Sequence, residues 1–237
     1  MNVLRRRFFQ DALAVAASPT RMFAMPHVVL LGDSVFDHGA YTGGKPTVLA
    51  QLLHALPRGW KASMLARDGA TTGGMRAQLA LLPADATVLV LSVGGNDALM
   101  RQGLLQAPAA SVAEAIDMLA EAVREFESAY RDVIGASLRH RLPLVVCTIY
   151  NGNFDDPRYR RLTRTAVALF DDAILRTAAE CKLKVIELRL ICTRPEDYAN
   201  TIEPSSIGAG KIARAIAAAV TAAPDGKNAC FVSGHHV

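Results

Sequence analysis

The stretch Val28-Val29-Leu30-Leu31-Gly32-Asp33-Ser34 decides how this chain is read. Four consecutive apolar residues, two of them β-branched, read as a strand buried on both faces, and they run straight into a glycine, an acid and a serine. Ligands of parallel α/β sheets bind at the carboxyl ends of strands. Ser34 therefore stands where a hydroxyl can act as a nucleophile, beside the first amides of the following helix. The same residues also suit a plain strand-to-helix turn, in which Asp33 or Ser34 only caps a helix.

Two further strand ends bear on the choice. The apolar run Thr87-Val88-Leu89-Val90-Leu91-Ser92-Val93 ends in Gly94-Gly95-Asn96-Asp97, and Ala66-Arg67-Asp68-Gly69-Ala70-Thr71 closes the strand before it. A serine, a glycine and an asparagine at neighbouring strand ends supply what acyl transfer requires: a nucleophile, and backbone and amide N–H donors for an oxyanion.

In this order and spacing the motifs resemble the SGNH (GDSL-type) hydrolase family, over about residues 27 to 220. The resemblance implies Ser34 as nucleophile. It implies the backbone N–H groups of Ser34 and Gly69 and the side chain of Asn96 as oxyanion donors. The family normally closes with an Asp, two residues and a His, the His being the base and the Asp its orienter. The matching segment here is Asn200-Thr201-Ile202-Glu203-Pro204, in which Asn stands for Asp and Glu for His. An ordinary glutamate is roughly two pKa units less basic than a histidine, but burial can raise it. Glu203 is then the expected base, with Asn200 orienting its carboxyl through an amide donor. The segment also reads as a capped helix start without catalysis.

Strands and helices alternate on either side of these motifs. Lys45 to Leu56 carries Val48, Leu49, Leu52 and Leu53 at helical spacing, with Pro46 near the start. Trp60 to Ala66 reads as a strand, Thr72 to Leu82 as a short helix and Thr87 to Val93 as the third strand. Ser111 to Leu138 is a long amphipathic helix opened by a Ser111–Glu114 capping box. Leu142 to Tyr150 and Leu183 to Leu188 read as strands, Leu162 to Ala179 and Ile207 to Ala223 as helices. The expected architecture is a single-domain three-layer α/β/α sandwich around a five-stranded parallel sheet, with the flavodoxin-like topology of the resembled family.

The loops at the strand ends give candidate substrate contacts. Asp33 shapes the turn before Ser34, Asp37 and His38 lie on the glycine-rich lip 35–44, and Asn151 opens a second rim, Asn151-Gly152-Asn153-Phe154. Leu99-Met100 and Leu104-Leu105 suit either an apolar acyl pocket or a packed short helix. His38, His235 and His236 are other histidines that a base could come from.

Composition fits one domain. The chain has 237 residues, 51% of them hydrophobic, and 26 Lys plus Arg against 22 Asp plus Glu. The basic excess sits partly in Arg5-Arg6-Arg7, no basic stripe carries interleaved aromatics, and no nucleic-acid partner is expected. Cys147, Cys181, Cys192 and Cys230 show no metal spacing and read as reduced thiols. Gly43-Gly44-Lys45 lacks the spacing of a phosphate-binding loop. Neither a cofactor nor a metal is called for. No run of 18 apolar residues exists, so no membrane span is expected.

Residues 1–24 form an N-terminal extension. They resemble a twin-arginine export signal, or else they are a disordered or non-native leader before a start at Met25, in which case the protein is cytoplasmic. Residues 25–223 form the domain and 224–237 a flexible tail. The expected function is a serine hydrolase acting on a small ester through an acyl-enzyme. The alternative is a catalytically impaired binding protein for a small anionic or carbohydrate ligand.

Overall fold

The computed structural model describes residues 25–222 and 232–233. The extension 1–24 and most of the expected tail lie outside the described residues. Five parallel strands follow the sequence reading: β1 (His27–Gly32), β2 (Lys61–Met64), β3 (Val88–Ser92), β4 (Leu144–Cys147) and β5 (Lys184–Ile186). A two-residue strand, β6 (Val232–Ser233), adds to β5 in parallel. The sequence reading placed no strand at these two positions. The order is β2-β1-β3-β4-β5-β6. Chain connections leave β1 in one direction and β3 in the other, so a crevice opens at the carboxyl ends of these two neighbours.

Alternation along the strands builds the two cores. Val28, Leu30, Val90, Val145 and Ile186 face one side, against α1 (Val48–Ala55) and α6 (Ser206–Thr221). Val29, Leu31, Leu89, Leu91, Val146 and Val185 face the other. There they meet α2 (Met75–Leu79), α4 (Val112–Leu138) and α5 (Pro157–Glu180). Because both faces are covered, β1 reads as an unbroken apolar run and not as an alternating one. The three layers follow.

Local signals set the helix ends. Thr47 caps α1 by accepting from Ala50 N–H, and Ser111 caps α4 by accepting from Glu114 N–H. The Glu114 carboxylate returns to Ala110 N–H, one residue before the capping-box position. The fifth helix begins at Pro157, before the expected Leu162, because Asp156 caps it and Pro157 suits a first helical turn. The expected helix over Thr72 to Leu82 divides into a 3-10 turn, Thr72–Gly74, and α2. Between β3 and α4 the chain forms α3 (Gly95–Met100) and a 3-10 turn, Gln102–Gln106. Among the described residues no helix is long and apolar enough to cross a membrane, and no cluster of three or more metal-binding side chains occurs.

Candidate active site

Ser34 owes its place to the backbone of Gly32. That residue has φ +134, and a Cβ there would lie 1.8 Å from the carbonyl oxygen of Ser92, so only glycine lets β1 pass β3 this closely. Gln78 of α2 grips Gly32 on both sides: its Oε1 accepts from Gly32 N–H at 2.8 Å, and its Nε2 donates to Gly32 carbonyl at 2.7 Å. Beyond it Asp33 N–H donates to Ser92 carbonyl, and Phe36 and Asp37 N–H donate back to Asp33 carbonyl. Ser34 sits at the apex of this turn. Among the described residues its own N–H makes no hydrogen bond.

Glu203 comes from the opposite end of the sequence and meets Ser34 directly. Ser34 Oγ donates to Glu203 Oε1 at 3.0 Å, and the two residues are only 8% and 5% exposed. The loop that carries Glu203 is tied at several points. Ala199 N–H donates to Glu203 carbonyl, Tyr198 bridges to Pro204, and the Tyr150 hydroxyl donates to Ile202 carbonyl. Burial raises the Glu203 carboxyl above its ordinary value, and the nearby Asp68 carboxylate adds to the shift, while the bond from Ser34 opposes it.

Donors stand on the other side of Ser34. Asn96 lies in the first turn of α3, and its Nδ2 donates one hydrogen to Ala70 carbonyl at 2.9 Å. Ala70 closes a turn on Arg67 carbonyl in which Gly69 has φ +76, the backbone a type II turn demands of its third residue. Asp97 secures the same region by accepting from both the N–H and the hydroxyl of Thr72. A hydroxyl held by a buried carboxylate, in one cavity with an amide side chain and next to its own unpaired backbone N–H, is equipped for acyl transfer.

A GDSL-like lipase/acylhydrolase family model matches residues 30–209, well over half of the chain. The chain belongs to the GDSL-like lipase/acylhydrolase family. Solved structures carry the same fold at low identity. The extracellular lipase of Streptomyces rimosus has 17% identity and a TM-score of 0.62 over 82% of this chain and 99% of that one. Phospholipase A1 of Streptomyces albidoflavus has 16% identity and a TM-score of 0.63, again over 82% and 99%. A catalytic mutant of an acetylxylan esterase of Geobacillus stearothermophilus has 15% identity and a TM-score of 0.57, over 83% and 94%. No curated protein sequence matches the chain.

Within this GDSL-like hydrolase several expected contacts differ. Asn200 does not reach the Glu203 carboxyl. Its Oδ1 accepts from Ile202 N–H at 2.9 Å and from Glu203 N–H at 2.8 Å, so it fixes the loop through the backbone instead of orienting the base through an amide donor. His38 is not on the cavity lip but fully buried, its Nδ1 against Phe36 carbonyl, and desolvation lowers its pKa. Asp37 also turns from the cavity, to accept from Asp68 N–H. Asp33 and Asn151 do line the cavity with Ser34, Asn96 and Glu203. Asp33 accepts from Val35 N–H, and burial pushes its carboxyl up to about 7. Gly69 lies in the exposed turn beside the cavity, outside its lining.

Other functional contacts were not foreseen from sequence. Gln78 carries no motif, and a helical glutamine gives no sign that it will reach a strand's last glycine. Asp197 is equally silent: fully buried, it accepts from Thr193 and Arg194 N–H and pairs with Lys211 of α6 at 2.8 Å. Gly208 lets the same segment rest on α6, since a Cβ there would lie 2.2 Å from Asp197 carbonyl oxygen. A second serine also has a histidine partner. His27 Nε2 lies 2.8 Å from Ser63 Oγ and its Nδ1 2.9 Å from Asp85, which Lys61 also holds. That chain stands where β1 and β2 begin, opposite the cavity, and joins strand ends.

Proposed function

We propose that this GDSL-like hydrolase cleaves carboxylic esters by a Ser34–Glu203 dyad. The observation that carries the reading is the 3.0 Å hydrogen bond from Ser34 Oγ to Glu203 Oε1. Ser34 Oγ attacks the ester carbonyl carbon as its proton passes to Glu203. The oxyanion lies among Ser34 N–H, Gly69 N–H and the second hydrogen of Asn96 Nδ2. Collapse expels the alcohol, which takes the proton from Glu203. Water, deprotonated by Glu203, then attacks the acyl-enzyme, and collapse releases the acid as Glu203 returns the proton to Ser34 Oγ. Asn200 acts by holding Glu203 in register.

A neutral ester suits the cavity better than an anion. Asp33 and Glu203 both face it, and Arg101, the cation in its wall, is already paired with Glu125.

Hydrolysis of p-nitrophenyl butyrate by the wild type, Ser34→Ala, Glu203→Gln and Ser63→Ala, followed from pH 4 to 9, tests the reading. The expected result is loss of at least about 1000-fold for Ser34→Ala and about 100-fold or more for Glu203→Gln, with Ser63→Ala at wild-type rate. Activity should rise with pH as Glu203 ionises, with a midpoint above the ordinary glutamate value. A wild-type rate in Ser34→Ala would overturn the assignment. Stabilisation by an ester without release of alcohol would instead favour a binding protein.

A further inference from the structure

The cavity that begins at Ser34 does not stop at the polar groups. Its empty space, with the open solvent at its mouth counted, comes to about 980 Å³, and its apolar walls come from three elements. Leu104 and Leu105 come from the 3-10 turn, Leu119 and Ala122 from α4, Val167 and Phe170 from α5. We infer that this is an acyl-chain pocket and that the preferred substrate is an ester of a medium-chain fatty acid and not an acetyl ester. The inference rests on the hydrolase reading above.

Several polar side chains along the cavity are engaged elsewhere. Thr148 donates to Glu187, the Thr163 hydroxyl donates to carbonyls of its own helix, and Tyr159 donates to Gln102 across the wall. Uncommitted polar atoms lie at Ser34, Glu203 and Asn96, where the ester group belongs, and at the amides of Asn151 and Gln102. A hydrophilic acyl substituent would find few partners among the leucines, valine and phenylalanine, whereas an alkyl chain covers that apolar wall, each buried methylene adding at most about fourfold in affinity. An acetyl group leaves that wall uncovered.

The pocket has an end. Arg101, Ala122 and Phe170 line it and also line a second cavity that contains Asp97 and Glu125. They are the partition between the mostly apolar pocket and a more charged space. Phe170 is braced by Phe126, with ring centroids 5.1 Å apart. A chain that reaches this partition can extend further only beside charged groups. This sets an upper limit on acyl length.

Two measurements test the inference on the full chain. The first compares kcat/KM for p-nitrophenyl acetate, butyrate, octanoate and palmitate in the wild type, Val167→Phe and Leu105→Trp. Octanoate should exceed acetate and palmitate by at least about tenfold in the wild type, and the octanoate-to-acetate ratio should fall by about tenfold or more in both variants. The ratio is taken within one protein, so a general loss of folded enzyme does not mimic it. The second is the thermal shift given by octanamide, a neutral acyl analogue, to Ser34→Ala and to the Ser34→Ala/Val167→Phe double variant, expected only in the former. Acetate turned over as well as octanoate, or a ratio untouched by both fillings, overturns the pocket and leaves the hydrolase reading standing. No turnover of any ester, with the octanamide shift intact, overturns the hydrolase reading and keeps the pocket. Neither turnover nor shift overturns both.

Discussion

Asn200 shows how one residue can be placed correctly in sequence and still be given the wrong contact. Its position relative to Glu203 was legible, because the segment 200–204 keeps the frame of the family's last motif. Which atom would act was not, since a carboxamide offers an acceptor and a donor on one short side chain. Two backbone N–H groups converge on it, and only the oxygen can accept them. Asn200→Asp keeps two acceptor oxygens and should therefore retain turnover within about threefold of wild type. Asn200→Ala should lose roughly tenfold in kcat, as Glu203 is no longer held. An Asp variant as impaired as the Ala variant would mean that the amide donor matters after all. Ser34 and Glu203 were legible for the opposite reason: each is fixed by backbone frame, a strand end and a Pro-bounded loop, and needed no side-chain direction to be paired.

Among the elements, α6 does more than close the fold. Its first turn accepts the chain 193–205 through Gly208, and Lys211 from its second turn meets buried Asp197. Sequence periodicity set the helix nearly to the residue, because an apolar stripe and the Ser205 cap both report on the helix itself. The ion pair escaped notice because it joins an exposed-looking loop acid to a helix lysine, and nothing local marks either as buried. Removing one partner leaves a buried charge, so Asp197→Ala should lower stability by about 3 kcal/mol in urea unfolding. It should also reduce ester turnover, since Glu203 loses its mooring. The Asp197→Ala/Lys211→Met double variant should recover part of that stability. Recovery absent from the double variant would show that the backbone bonds to Asp197, and not its charge, hold the segment.

At the level of the whole molecule the carboxylates divide into two groups with opposite pH effects. Burial pushes Asp33 and Asp171 up to about 7 and raises Glu203. The folded state thus holds protons that the unfolded chain releases near its ordinary carboxylate values, and the stability these groups contribute in acid is lost as pH rises toward 7. Arginine partners hold Glu127 and Glu187 below the usual range, so their contribution is lost as pH falls instead. Stability should peak near pH 5, with a melting temperature there roughly 5 °C or more above that at pH 8. Asp33→Asn should flatten the slope, and a melting temperature that climbs from pH 5 to 8 would sink the account. The parallel strands were legible because apolar runs and turns record them, and their order because right-handed crossovers and the resembled family both imply a flavodoxin-like topology; the sixth strand was not, as two residues carry no period. Asn96 and the Gly69 turn are joined through Ala70 and stand with Ser34 on the first three strands, whereas Glu203 arrives from the other end of the chain, 169 positions from its partner. The machinery is therefore split between an early and a late part of the polypeptide. If the proposed dyad operates, a nascent or partly melted molecule that has assembled only the early part would own the attacking hydroxyl and the anion cradle, would have nothing to take the proton, and would stay silent until its last helix docks.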